Sequence, residues 1–156
     1  TNSTGMKAVN NFVSGITLSA REGEDEDEGP SRTNIGGTAA GAGNVISGNV
    51  GDGVRISNGT TRTLVLGNRI GTTADGLKPL GNSGDGVLII SSAKNTIGGI
   101  TDAARNVISA NFHHGVEILG DPVGDVGAST LTWTNRSLVA HRERPMFWRN
   151  LNDPTL

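Results

Sequence analysis

Residues 43–56 read GNVISGNVGDGVRI, and residues 105–118 read RNVISANFHHGVEI. Laid over one another, Asn44 meets Asn106, Ile46 meets Ile108, Asn49 meets Asn111, Gly53 meets Gly115 and Ile56 meets Ile118, each pair 62 positions apart. The echo continues upstream, where Asn34-Ile35-Gly36-Gly37 is answered by Thr96-Ile97-Gly98-Gly99 at the same offset. A fixed period in so short a chain is the mark of stacked units that share one core, since one unit cannot bury its apolar side alone.

Within the period lies a smaller phrase: glycine, apolar, any, apolar. It occurs as GITL at 15–18, GVRI at 53–56, GVLI at 86–89 and GVEI at 115–118, in steps of 38, 33 and 29 residues. Ile35, Val65 and Ile97 give a second set, with steps of 30 and 32. The 62-residue period is therefore read as two coils of about 31 rather than three of about 21. Strand side chains alternate between faces, so Val and Ile point inward while Thr17, Arg55, Leu88 and Glu117 point outward. Parallel pairing from coil to coil satisfies the backbone, and four rungs at a rise of about 4.8 Å make a stack roughly 20 Å tall.

Composition agrees with short strands. The chain of 156 residues carries 24 Gly, no Tyr and few aromatics; Gly costs roughly 1 kcal/mol at a helix position but serves tight turns. Its length suits one domain with a real core. A net charge of −2 provides no broad basic field, so nucleic acid is not an expected partner. The absence of cysteine excludes disulfides and thiolate sites. No apolar run approaches the roughly 20 residues of a membrane span, and the polar opening TNSTG is not that of a signal peptide, so no membrane insertion is expected.

Three segments depart from the repeat. An acidic insertion at 21–31, containing EGEDEDEG, lengthens the first step. Its carboxylates suit calcium by type but lack an ordered ligand pattern, and a solvated loop is the plainer expectation. The stretch GTTADGLKPLGNSGDG at 71–86 reads as a turn-rich protrusion. From residue 124 to 156 the repeat gives way to a tail with Trp133, Phe147, Trp148, Arg136, Arg142, Arg144 and Arg149. This tail is expected to cap the open end of the stack; its mixture of aromatic and basic residues also suits a partner contact. The repeat unit proper is thus placed at 1–123.

With NxIGG, GNVISGN, DGVxI and LGNxIGTTADG in order over residues 34–89, the chain resembles the right-handed parallel β-helix repeats of bacterial secreted and cell-surface proteins. The resemblance spans about residues 33–120. It implies an all-β solenoid of about four coils with an irregular C-terminal cap or tail, and an extracellular or cell-surface location. The wider pectate-lyase-like fold contains polysaccharide lyases, hydrolases, epimerases, tailspikes, adhesins and repeats without activity, so fold leaves function open.

Stacking in register would place Asp52, Asp85 and His114, each just before a tetrad, in one column beside the outward column of Arg55, Leu88 and Glu117. Stacked carboxylates near a guanidinium and an imidazole suit acid/base work on a uronate polymer or cation binding. Asp-Gly at a strand entry is also ordinary turn chemistry. The expectation is a non-catalytic segment that contacts a glycan or a protein and needs no organic cofactor. The rival is a polysaccharide lyase or glycoside hydrolase using Asp52, Asp85, His114, Arg55 and Glu117, and a plain spacer is the third reading. The recurrent Asn residues 34, 44, 49, 68, 82, 95, 106 and 111 are expected to stack across coils or to hold left-handed turns. Adjacent His113 and His114 should point to opposite faces rather than share a metal.

Overall fold

A computed structural model describes residues 3–19, 32–120 and 130–131. The acidic insertion and the aromatic and basic side chains of the tail lie outside the described residues. Eleven short strands are described: β1 (Ile16–Ser19), β2 (Asn34–Gly36), β3 (Val45–Ile46), β4 (Val54–Ser57), β5 (Leu64–Leu66), β6 (Arg69–Ile70), β7 (Val87–Ile90), β8 (Thr96–Ile97), β9 (Val107–Ile108), β10 (Val116–Leu119) and β11 (Thr130–Leu131). They form three parallel sheets, ordered β1-β4-β7-β10, β2-β5-β8-β11 and β3-β6-β9. The chain visits the three sheets in turn and then starts again, which is a parallel β-helix with three full coils and the start of a fourth. The strand β11, beyond residue 123, pairs with β8 and so continues the second sheet.

The registers are those expected from the tetrads. Ile16, Val54, Val87 and Val116 stand in line, as do Leu18, Ile56, Ile89 and Ile118. Ile35, Val65 and Ile97 form the second inward line. The third sheet, with Ile46, Ile70 and Ile108 in line, was not foreseen as a set: strands of two residues are too short to show alternation. These lines form one core, and Val54, Ile56, Val65, Ile70, Val87 and Ile89 are wholly buried. Each such side chain stabilises the fold by roughly 1.5–3 kcal/mol relative to exposure. At the end of the first sheet Ile118 and Leu119 remain partly open to solvent.

Three corners per coil must be turned without orphaning backbone groups, and asparagine does this at two of them. Asn11, Asn49, Asn82 and Asn111 form one ladder after the third sheet, each donating Nδ2 to the Oδ1 of the next at 3.0, 2.7 and 2.8 Å. The same oxygens of Asn82 and Asn111 accept the backbone N–H of Asn49 and Asn82. Asn44, Asn68 and Asn106 form a second ladder ahead of the third sheet. Stacking, not left-handed backbone, is therefore the role of these seven, for none has a positive φ. At the remaining corner Asn95 accepts the Thr63 N–H and donates to the Thr60 carbonyl; Asn34 is exposed and joins no ladder.

The tetrad glycines have a matching reason, which is space rather than φ. A methyl group on Gly86 would lie 2.5 Å from the Gly115 carbonyl oxygen, 2.5 Å from Ile108 Cγ2 and 2.7 Å from Asn111 Nδ2. Gly15 and Gly53 meet the equivalent atoms of the next coil. The protrusion after β6 folds on itself: Thr72 and Pro79 form an antiparallel bridge, Leu80 donates to the Gly71 carbonyl, and Leu77 is exposed at the tip. Asp75 closes this turn by accepting from Thr73 Oγ1 and the Leu77 N–H, which hold its carboxyl below the usual range.

The ladder should be expensive to break. Asn82→Ala would orphan the buried Asn49 backbone N–H and the Asn49 Nδ2, both of which Asn82 Oδ1 now accepts, at roughly 1–3 kcal/mol for each group. Urea denaturation is expected to show a loss of about 3 kcal/mol. Asn82→Asp should cost at least as much, because a carboxylate cannot donate to Ile46, whereas Asn34→Ala should stay within about 0.5 kcal/mol.

Candidate functional site

The residue ahead of each tetrad does form a column, and its carboxylates have a definite occupation. Asp52 Oδ1 accepts the Asp85 backbone N–H at 2.9 Å, and Asp85 Oδ1 accepts the His114 backbone N–H at 2.7 Å. Each aspartate thus ties its own coil to the next, as the asparagines do around the corner. Both side chains are buried, with Asp85 only 4% exposed.

The five residues singled out in the sequence divide into two groups. Arg55 Nη1 lies 3.5 Å from Asp52 Oδ2, a partly exposed ion pair on the second rung. On the third and fourth rungs His114 Nδ1 lies 3.0 Å from Asp85 Oδ1 and 3.6 Å from Glu117 Oε1. Leu88 stands between the groups, paired in register with Arg55 on one side and Glu117 on the other. Its outward direction led to an expectation of exposure; with a long side chain on either flank it is only 7% exposed. Burial and the neighbouring Asp85 charge push the Glu117 carboxyl above the ordinary glutamate value of 4.5, against the opposing pull of His114.

An exposed apolar column beside this site escaped the sequence reading. Phe12, Val50, Ser83 and Phe112 each follow a ladder asparagine, and backbone bonds from Val50 to Asn11, Ser83 to Asn49 and Phe112 to Asn82 set them one above another. Phe12 is 93% exposed and Phe112 80%. Next along the chain come Val13, Gly51, Gly84 and His113, also linked rung to rung. The signal was present as Asn-x-x-x-Gly-apolar-x-apolar, which begins at Asn11, Asn49, Asn82 and Asn111. Reading the tetrad from its glycine hid the four preceding places.

His113 turns its ring toward Phe112, with centroids 5.5 Å apart, while His114 turns toward the carboxylates. The two imidazoles therefore do not share a site. Among the described residues no helix is long and apolar enough to cross a membrane.

The chain matches no family model, no curated protein and no solved structure. What the structure shows is architecture alone, parallel strands stacked in three sheets, and architecture carries no activity with it.

Because the folded state raises the Glu117 pKa, the native protein binds more protons than the unfolded chain just above pH 4.5, and stability falls as pH rises through that window. Glu117→Gln removes this term. In EDTA-containing buffer the variant should gain in Tm over the parent at pH 7, and the gain should vanish near pH 3.5, where both forms of Glu117 are protonated.

Proposed function

We propose that this protein is a non-catalytic segment of an exported or cell-surface protein, and that it binds a glycan on the corner between its third and first sheets. The observation that carries this reading is the exposed column holding Phe12 and Phe112. Two phenyl rings on the first and fourth rungs stand about 14 Å apart at about 4.8 Å per rung. Between them stand the half-exposed Val50 and the exposed Ser83, smaller side chains than the two rings they separate. Large apolar side chains displayed in this way mark contact surfaces rather than core, and a phenyl ring offers an apolar face to the C–H side of a sugar ring. Arg55, His114 and Glu117 at the edge supply donors and acceptors for hydroxyl groups.

Catalysis fits these residues less well. A general acid or base must be free to exchange its proton with a substrate, whereas Asp52 and Asp85 are buried and each commits an oxygen to a backbone N–H of the next coil.

The test is a panel of neutral and acidic polysaccharides, scored separately for binding and for the release of unsaturated or reducing ends. Binding to at least one neutral glycan without product is expected. Phe12→Ala and Phe112→Ala should each weaken it about tenfold, or 1.4 kcal/mol, with Tm unchanged. Product from any substrate would establish an enzyme instead, and binding indifferent to both phenylalanines would remove the proposed surface.

A further inference from the structure

Asp85, His114 and Glu117 each present one ligand atom, and the three atoms lie within 4.8 Å of one another. The two separations from His114 Nδ1, 3.0 Å to Asp85 and 3.6 Å to Glu117, bracket the roughly 3.3 Å between neighbouring ligands of a tetrahedral zinc ion bound at about 2.0–2.1 Å. We propose that Asp85, His114 and Glu117 form a binding site for a divalent transition ion of the zinc class, which clasps the third coil to the fourth. The proposal does not rest on the glycan reading.

Three features favour such an ion. First, the ligand set contains an imidazole nitrogen, which suits zinc, nickel, copper and cobalt, whereas calcium and magnesium take oxygen. Second, the site is held ready: Asp85 is buried and fixed by the His114 N–H, and Glu117 lies one strand step away, at i+3 from His114 on the same face. Third, two carboxylates crowd one another, and among the described residues neither forms an ion pair with a lysine or arginine. The nearest arginine on this face, Arg55, is paired with Asp52 on the second rung and separated from Glu117 by Leu88. The His114 side chain is 61% exposed, so an ion here would keep a water-filled position toward solvent.

The location gives the site a purpose. Asp85 precedes β7, while His114 and Glu117 belong to the rung of β10, the end strand of the first sheet, where Ile118 and Leu119 are less covered than the equivalent residues below them. A bound ion would fasten the rung with the weakest burial.

The test uses the full chain, freed of metal by chelator and then titrated with zinc chloride, cobalt chloride or calcium chloride. One equivalent of zinc is expected, with Tm raised by roughly 5–10 °C at zinc a hundredfold above Kd. Cobalt should give the visible absorption of a low-coordinate nitrogen and oxygen site. His114→Ala and Glu117→Gln should weaken zinc at least a hundredfold, and His113→Ala should leave it within twofold, with circular dichroism unchanged in all three. The proposal is overturned by the lack of a zinc-dependent shift, by equal zinc affinity in His114→Ala or Glu117→Gln, or by calcium binding as tightly as zinc.

Discussion

The whole stack depends on satisfying the backbone at corners that are partly out of water. Strands pair with strands in the sheets, but each coil must also turn three times, and at a turn the amide and carbonyl groups face in directions no neighbouring strand can serve. A side-chain amide solves this because it carries both a donor and an acceptor. Asn82 accepts from Asn49 and donates to the Ile46 carbonyl and to Asn111, so a single residue serves three coils. Such a ladder is cooperative, and a partly satisfied one is costly. Thr63 illustrates the limit: it stands at the third corner, and its buried hydroxyl has no hydrogen-bond partner among the described residues.

The same constraint explains which parts of the fold could be read in advance. The first sheet was legible because Val54, Ile56, Val87 and Ile89 alternate with outward residues over four places, long enough to show a period of two, and the second because Ile35, Val65 and Ile97 recur at steps of 30 and 32. The third sheet was not, since Val45–Ile46 and Arg69–Ile70 are two residues long and the Gly71–Gly81 excursion pushes Asn82 out of step with Asn49 and Asn111. The asparagines were visible as a recurring type, but the choice between stacking and left-handed turns required coordinates. For the glycines the expected cause, backbone freedom, proved secondary at Gly15, Gly53 and Gly86, where the next coil's carbonyl and an isoleucine methyl leave no room for Cβ.

The candidate site was legible as a column and opaque as chemistry. Register alone put Asp52, Asp85 and His114 in line, and that followed from the tetrads. What a sequence cannot show is that the two aspartates spend an oxygen on the next coil's backbone, or that Leu88 splits five polar candidates into two groups. An aspartate on a rung entry looks catalytic when residues are read as a constellation, and looks structural once its donors are named. The distinction matters in any stacked fold, because repetition lines up side chains of one type whether or not a ligand is involved.

This separates two kinds of position along each coil. Inward places accept little beyond Val, Ile and Leu, and the ladder and tetrad positions accept Asn and Gly, because a change there disturbs two or more coils at once. Outward places face water and neighbours of their own column only, and they change freely: Thr17, Arg55, Leu88 and Glu117 occupy one column, Phe12, Val50, Ser83 and Phe112 another. Specificity in this protein must therefore be written in outward columns, and only where side chains from different rungs act together. Two places meet that condition here. One brings an imidazole and two carboxylates from adjacent rungs to within bonding range of a single ion, and the other sets phenyl rings at the two ends of a column with Val50 and Ser83 between them. Both sit at one corner because the Asn-x-x-x-Gly turn carries three variable residues between its two invariant ones, more than any strand of this helix presents to the same side.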